Sequence, residues 1–204
     1  MMAVWQRETL ILASKSASRR AMLDAVDIRY DVVVADVDEA SIKASMQQMG
    51  ADSRAITHGL AKAKAETVSR LYPARWVLGS DSTVSVEGKL YSKPGSKEDA
   101  AAHLRAFSDR TMTLDSAVVL AKGGEMRGYA SDDARLEVRN LSDAFIDQYL
   151  SVEWPAIAAC AGCFRVEGLG VHLFETVMGS HFTVLGMPLL PLLQVMREQG
   201  IVTS

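Results

Sequence analysis

The segment Leu10-Ile11-Leu12-Ala13-Ser14-Lys15-Ser16-Ala17-Ser18-Arg19-Arg20 decides the fold, because it joins a strand to a helix through small and basic residues. Its first three residues form an apolar run typical of a buried strand, and Ser16 or Ser18 is suited to cap the helix that follows. The positive end of the helix dipole, together with Arg19 and Arg20, favours a bound anion. The residues alone leave two interpretations open, a phosphate-binding corner and an ordinary strand-to-helix junction with solvated basic side chains.

The composition is that of an ordinary globular protein. With 204 residues, 49% of them hydrophobic, the chain can bury a sizeable core, and we expect a single domain over residues 1–204. The formal net charge of −3 argues against binding to a nucleic-acid polymer. Two cysteines give no disulfide framework, Met1–Thr9 lacks the apolar core of a signal peptide, and no apolar run approaches the ~20 residues that span a bilayer. We therefore expect a cytoplasmic protein without a membrane partner.

Carboxylates gather where a β-rich run ends, at Asp36-Val37-Asp38-Glu39. Mg²⁺ is commonly held by one or two carboxylates together with the phosphates of a substrate. This segment therefore suits a contribution to a magnesium site. A plain acidic turn, with its charges in solvent, is the alternative interpretation.

Ser53–Tyr72 is the clearest helix in the sequence, because residues at spacings of three and four draw an apolar stripe from Ile56 to Leu71. Since a helix turns about 100° per residue, Lys62 lies opposite the stripe, whereas Lys64 falls on its inner edge. An inward lysine either extends its flexible stem to solvent or reaches a cleft that binds a polyphosphate. Both interpretations stay open here.

The strand predicted over Trp76–Val86 carries Gly79-Ser80-Asp81 at its centre. A carboxylate buried there must be hydrogen-bonded, paired with a cation or bound to a metal, because burying it alone costs several kcal/mol. Carboxylates at such places in α/β proteins often belong to active sites. The alternative is an aspartate with a purely structural role, whose hydrogen bonds are satisfied within the protein.

Two further charged residues lie later in the chain. Lys93 precedes Pro94, which keeps its backbone extended. Glu167 lies in a glycine-rich loop, where a ligand can approach the backbone closely or where the chain simply turns. The motif Cys160-Ala161-Gly162-Cys163 lacks the second pair that a zinc site needs and the context of a redox pair, so we predict neither.

Periodicity and turn residues also predict the remaining elements. Helices are expected from Ser96, over Asp143–Leu150 and after Pro188; strands are expected over Tyr30–Ala35, Thr111–Leu120, Arg135–Arg139, Val171–Phe174 and Phe182–Leu185.

Several motifs follow one another in a characteristic order: Leu-Ile-Leu-Ala-Ser-x-Ser-x-x-Arg-Arg, Asp-x-Asp-Glu, Ala63-Lys64-Ala65, Gly79-Ser80-Asp81, Lys93-Pro94 and Val184–Leu189. Together they resemble the Maf family of nucleoside triphosphate pyrophosphatases over nearly the whole chain. The resemblance implies an α/β fold similar to that of inosine triphosphatase, with an elongated mixed β-sheet, flanking helices and two lobes around a cleft. It also implies a homodimer, a divalent metal cation, Mg²⁺ or Mn²⁺, and hydrolysis of a nucleotide to its monophosphate and pyrophosphate.

The same resemblance implies roles for individual residues. The catalytic aspartate of the family falls on Asp81, which together with Glu39 would hold the metal and orient the water. Lys64 and Lys93 complete the implied catalytic set and, together with Arg19, would clamp the triphosphate. The implied substrate-binding residues are Ser14, Ser18, Arg19, Ser82 and Glu167.

The identity of the base depends on three of these positions. The thymidine and uridine branch of the family would carry arginine, threonine and glutamine at Ser18, Ser82 and Glu167, and this chain has none of them. The 7-methyl-GTP branch shares the glutamate but would carry tryptophan and glutamine at Ser18 and Ser82. We expect removal of non-standard nucleotides, with substrates like 7-methyl-GTP favoured. The alternatives are a dTTP/UTP pyrophosphatase and a nucleotide-binding regulator of cell division without turnover.

Overall fold

The structure is a computed structural model and describes residues 5–203, so that the first four residues of the segment Met1–Thr9 lie outside the described part. The strands are β1 Leu10–Leu12, β2 Tyr30–Val32, β3 Val77–Val86, β4 Lys89–Tyr91, β5 Thr111–Lys122, β6 Glu125–Val138 and β7 Phe174–Met178. The helices are α1 Ala17–Ala25, α2 Glu39–Gln48, α3 Ser53–Leu71, α4 Lys97–Phe107, α5 Asp143–Glu153, α6 His181–Val184 and α7 Leu189–Glu198. Among these helices, none combines the length and the apolar character needed to cross a bilayer.

The described strands form one mixed sheet in the order β2-β1-β3-β5-β6-β7, with β4 paired to β3. Strand β1 runs parallel to β2 and to β3, whereas the pairs β3-β4 and β6-β7 are antiparallel. Parallel strands need a crossover connection, which helices supply in α/β proteins. The predicted α/β class with a mixed sheet and flanking helices is therefore confirmed.

The chain divides into two compact units. The first unit comprises Met1–Ser82, Asp115–Asp132 and His181–Ser204. Its strands β1, β3 and β5 are buried on both faces. Leu10, Leu12 and Leu78 pack with residues of α1 and α7, while Ala117, Val119 and Ala121 pack with Ala61 and Ala65 of α3. Because side chains alternate along a strand, consecutive apolar residues pack into cores on opposite faces of the sheet. The uninterrupted apolar run Leu10–Leu12 predicts this burial on both faces.

The second unit comprises Thr83–Leu114 and Asp133–Ser180. Helices α4 and α5 pack together there, and Phe107 and Ile146 are fully buried. The Tyr149 hydroxyl on α5 donates a hydrogen bond to the Cys163 carbonyl (3.0 Å) and ties the segment that follows α5 back to that helix.

Two expectations about elements need correction. Val171–Phe174 is not a strand, because Leu169–Leu173 forms a 3₁₀ helix and β7 begins at Phe174. The run Phe182–Leu185 is not a strand either, because the chain forms α6 there. In both cases a few apolar residues suit a short helical turn as well as a strand. Helix α2 is absent from the sequence-based prediction.

Candidate active site

The corner between β1 and α1 has the predicted form. Ser16 is the N-cap of α1, and its hydroxyl accepts a hydrogen bond from the Arg19 backbone N–H (3.4 Å). Ser14 is buried beside it, and its hydroxyl accepts from the Ser16 N–H (3.2 Å). Ser18 lies half-buried in the first turn of α1. The serine hydroxyls therefore satisfy donors that the start of a helix leaves unpaired.

The Arg19 guanidinium is buried at the centre of this corner, with only 7% of the residue exposed. Its Nε donates to the Gly186 carbonyl (2.9 Å), and one terminal nitrogen donates to the Ser80 carbonyl (2.8 Å) and to Ser14 Oγ (3.2 Å). The other terminal nitrogen donates to Ser82 Oγ (3.2 Å). These bonds use most of the five N–H donors of an arginine. Arg19 thus links α1, β3 and the turn before α7.

The charges of two carboxylates act on this guanidinium. Burial lowers the pKa of Arg19, while the charges of Asp81 and Glu39 raise it in opposition. An arginine stays charged at any physiological pH, so the buried cation is stabilised by these acids rather than neutralised.

Lys64 connects the two carboxylates directly. Its Nζ lies 2.5 Å from Asp81 Oδ1 and 2.8 Å from Glu39 Oε1. The side chain of Lys64 is 11% exposed, whereas that of Lys62 is 45% exposed and faces Glu66. The predicted orientation of both lysines on α3 is therefore confirmed. A single ammonium between two carboxylates leaves the group with a net negative charge.

A glycine on β3 explains how Lys64 reaches Asp81. A Cβ atom on Gly79 would lie 2.2 Å from the Ala61 carbonyl oxygen and 2.7 Å from the Ala65 nitrogen, so only glycine lets β3 approach α3 this closely. Gly79 and Asp81 share one face of the strand because side chains alternate. Lys64 precedes Ala65 on α3, and Asp81 lies two positions after Gly79 on β3. The close approach of the two backbones at Gly79 therefore brings Lys64 to Asp81.

The Gly79→Ala variant should lose about 2 kcal/mol of unfolding free energy or more, since backbone atoms on α3 cannot move away from an added methyl group without repacking. Urea denaturation measures this loss. Gly95→Ala is the matched control, because its nearest neighbour is a side-chain oxygen of Asp99 at 3.2 Å. Equal stability of the two variants would show that the close contact between β3 and α3 is not required.

Glu39 reaches the cluster from the first turn of α2. Asp38 caps this helix, and its carboxylate accepts a hydrogen bond from the Ser41 N–H (3.0 Å). The sequence predicted carboxylates at the end of a strand here, for a magnesium site or an acidic turn, but no helix after them. An aspartate N-cap followed by alanine, serine, lysine and glutamine over 39–48 is the signal that would have found it.

Ser82 and Gly186 complete the first unit's site. Strand β3 continues through Asp81 without interruption, so Ser82 projects from the opposite face to Asp81. Gly186 has φ +97°, and a Cβ there would lie 3.2 Å from Ser82 Oγ. The structure thus joins Ser14, Arg19 and Ser82 by hydrogen bonds, and Glu39, Lys64 and Asp81 by ion pairs. Neighbouring residues of β3 carry the two groups on opposite faces of the strand. Sequence reasoning missed the Ser80 and Gly186 carbonyls, because backbone acceptors leave no side-chain signal.

The two remaining candidates belong to the second unit. Lys93 and Glu167 are both exposed, and both act on the thiol of Cys160. Burial raises the pKa of that thiol, Glu167 raises it further, and Arg165 and Lys93 lower it. The charges of Lys93 and Glu167 therefore both influence one thiol, although the two residues are far apart in sequence. Both cysteines are free thiols.

The donor set of the first unit fits a divalent cation. Within residues 5–203 no group of three or more histidine, cysteine, aspartate or glutamate side chains converges on a metal position. Asp81 and Glu39 nevertheless offer two hard carboxylate ligands beside one another. Mg²⁺ often takes one or two protein carboxylates and completes its shell with water and substrate phosphates, so two are sufficient.

The fold and the site define an α/β protein in which a buried aspartate on a central strand is ion-paired with a lysine of α3, which also pairs with a glutamate of α2. The protein also has a strand-to-helix corner suited to anions. The family model described as Maf-like protein matches residues 9–199, and the chain belongs to this family.

Curated relatives match almost the whole chain. A nucleoside triphosphate pyrophosphatase of Sphingopyxis alaskensis is 42% identical over 95% of this chain and 98% of its own length. A 7-methyl-GTP pyrophosphatase of Rhizobium meliloti is 38% identical over 96% of this chain and 98% of its own length. Among solved structures, the Staphylococcus aureus Ham1 protein aligns with a TM-score of 0.43 and 16% identity, covering 65% of this chain and 73% of that one.

Proposed function

We propose that this protein hydrolyses nucleoside triphosphates to the monophosphate and pyrophosphate, with a divalent cation bound by Asp81 and Glu39. The observation that carries this proposal is the Lys64 ammonium held between those two carboxylates, at 2.5 and 2.8 Å. The relatives from Sphingopyxis and Rhizobium, both named as pyrophosphatases, support the same reaction class. A regulator that only binds nucleotides would not need such a set of acids.

The chemistry is mainly positioning and electrostatic stabilisation. Cleavage between the α and β phosphates requires a water molecule delivered in line, while negative charge builds up on the leaving pyrophosphate. A bound Mg²⁺ or Mn²⁺ would spread that charge over the phosphate oxygens. Oδ1 of Asp81 accepts a hydrogen bond from the Lys64 ammonium. We assign the other oxygen, Oδ2, as the acceptor of the proton from water.

The cationic side chains have separate tasks in this proposal. The Lys64 ammonium, already desolvated on α3, holds Asp81 in place and contributes positive charge toward the triphosphate. Two of the four bonds of Arg19 fix the Ser14 and Ser82 hydroxyls, and the guanidinium charge favours an anion at the start of α1. Lys93, exposed in the second unit, would add a further contact to the phosphates.

The experiment for the proposed function is a panel of nucleotides with product analysis. Purified protein is incubated with 7-methyl-GTP, GTP, dTTP and UTP, with Mg²⁺ or Mn²⁺ and with chelator, and pyrophosphate release is measured. We expect turnover that requires the cation. Tight nucleotide binding without pyrophosphate release from any of them would instead support the non-catalytic regulator.

We further propose that Glu167 selects guanine-type bases, with 7-methyl-GTP preferred. The Glu167 carboxylate can accept hydrogen bonds from the neighbouring N1–H and amino group of guanine, whereas thymine and uracil offer no such pair. The N7-methylated ring is cationic, which a carboxylate favours further. Ser18, however, offers no aromatic face to stack on that ring.

Glu167→Gln should therefore reduce the preference for 7-methyl-GTP over dTTP by about tenfold or more, by analogy with the discrimination that one pair of hydrogen bonds gives in base recognition. The measurement is kcat/KM for each nucleotide in wild type and variant. The exposed Glu175→Gln, on β7 of the same unit, is the control and should leave the ratio unchanged. A wild type that prefers dTTP or UTP would refute this role for Glu167.

A further inference from the structure

The second unit contains a buried carboxylate that the proposed reaction does not use. Glu153, the last residue of α5, is only 3% exposed. Arg165 holds it with two bonds, from Nε to Oε2 (3.0 Å) and from a terminal nitrogen to Oε1 (3.1 Å). This is the parallel, two-bond arrangement that a guanidinium forms with a carboxylate. A buried carboxylate without that partner would be strongly destabilising, so the pair fixes Arg165 on α5.

The backbone of Arg165 also closes the turn that carries Glu167. The Gly168 N–H donates to the Arg165 carbonyl (3.1 Å), which closes a turn with Glu167 inside it. A Cβ on Gly170 would lie 2.5 Å from that same carbonyl oxygen and 2.7 Å from the Arg165 nitrogen. The backbone of the loop is therefore folded tightly against Arg165 on both sides of Glu167.

The Glu167 side chain itself is exposed, so its direction depends on the backbone beneath it. The loop is fastened to α5 at two points, through Arg165 and through the hydrogen bond from Tyr149 to the Cys163 carbonyl. Of these two attachments, the one through Arg165 lies within the turn. An acceptor that distinguishes bases by paired hydrogen bonds must be held in place, because a displacement of about 1 Å is enough to lose such an effect.

We propose that Arg165, anchored by Glu153, is a positioning residue that holds the turn under Glu167 and so determines which base the enzyme prefers. This inference rests on the proposed function and extends it to residues that do not touch the substrate. A lysine at this position would keep the charge but lose the two-bond fork, so the charge near Glu167 is retained while its backbone is released.

The test begins with Arg165→Lys. We expect the ratio of kcat/KM for 7-methyl-GTP to that for dTTP to fall on the order of tenfold, chiefly through KM, with kcat for 7-methyl-GTP nearly unchanged because the acids and bases of the first unit are untouched. Arg105→Lys is the matched control, since it disturbs the exposed pair of Arg105 with Asp143 (2.7 Å) in the same unit. An unchanged ratio in Arg165→Lys would overturn the proposal.

A double-mutant cycle separates positioning from direct contact. If Arg165 acts through Glu167, then Arg165→Lys has no further effect on the ratio in a Glu167→Gln background, and Glu153→Gln reproduces the effect of Arg165→Lys. Additive effects, or an effect of Arg165→Lys that Glu153→Gln lacks, would mean that Arg165 touches the nucleotide itself and would overturn the positioning role. Thermal denaturation checks that each variant is folded.

Binding measurements keep this test independent of catalysis. Dissociation constants for 7-methyl-GTP and dTTP, measured with chelator present, should show the same loss of preference in Arg165→Lys. Wild type that binds selectively but releases no pyrophosphate would contradict the proposed function alone. Wild type that binds both nucleotides equally would contradict the role of Glu167 and, with it, that of Arg165.

Discussion

Asp81→Asn is expected to reduce kcat for pyrophosphate release by about 100-fold or more, because the variant loses both a proton acceptor and a metal ligand. Asparagine keeps the size of the side chain and still offers an oxygen to Lys64, which lies 2.5 Å from Asp81 Oδ1 in the wild type. The fold should therefore persist. Steady-state kinetics with saturating metal and thermal denaturation measure the two effects separately.

The matched control for this variant is Asp132→Asn. Asp132 accepts a hydrogen bond from the Thr183 hydroxyl (2.6 Å) and has no role in the proposed reaction. It should lose some stability and keep its turnover number. Near-wild-type kcat in Asp81→Asn, in protein that is folded, would refute the assignment of Asp81 as the base.

The second large effect is expected for Lys64→Ala, with a loss in kcat/KM of about 100-fold, comparable to removing one group that stabilises transition-state charge. The substitution leaves the Asp81 and Glu39 carboxylates near one another without the ammonium that now lies between them. Their mutual repulsion disfavours the arrangement and would add to the repulsion of the triphosphate. Stability should fall as well, because Asp81 is buried and loses its ion pair.

Lys62→Ala removes the same side chain from the other face of α3. Lys62 is half-exposed and lies 3.9 Å from Glu66, a contact typical of a weak surface ion pair. Its loss should change neither kcat nor KM. Comparable losses in the two lysine variants would show that the charge of α3 as a whole, rather than the Lys64 position, matters for the nucleotide.

Local patterns were sufficient for the parts of the fold that depend on neighbouring residues. The apolar run Leu10–Leu12 and the serines after it predicted β1 and the cap of α1, and the helical phase predicted the inward turn of Lys64. The same phase was less successful further along α3, where Leu71 is 70% exposed. Near the end of a helix a stripe continues in sequence after the core has stopped, so periodicity overestimates burial there.

Long-range contacts were outside the reach of these patterns. Arg19 and Gly186 are separated by 167 residues, and the bond between them ends on a backbone carbonyl. The sequence indicated a cation suited to anions at this position but not that its donors are largely used within the protein. Helix α2 was missed for a different reason, since none of its residues is fully buried and its apolar pattern is therefore weak.

The second unit shows the same limit. Glu167 was selected for its glycine-rich surroundings, yet the residue that fixes its loop is Arg165, through a carboxylate on α5 that is twelve positions away in sequence. Glu153 and Arg165 are each ordinary charged residues at the end of a helix and in a loop. The burial of Glu153 and the two bonds to Arg165 distinguish this pair from the exposed pair of Arg105 and Asp143, and neither feature has a signal in the sequence.

The most direct measurement of the central claim is the identity of the phosphorus products. Phosphorus NMR of a reaction with GTP or 7-methyl-GTP and Mg²⁺ should show nucleoside monophosphate and pyrophosphate appearing together in equal amounts, and both should form more slowly in Asp81→Asn by about 100-fold or more. Inorganic phosphate and nucleoside diphosphate as the first products would place the cleavage between the β and γ phosphates. That result, or the absence of any hydrolysis by the wild-type protein, would contradict the proposed function.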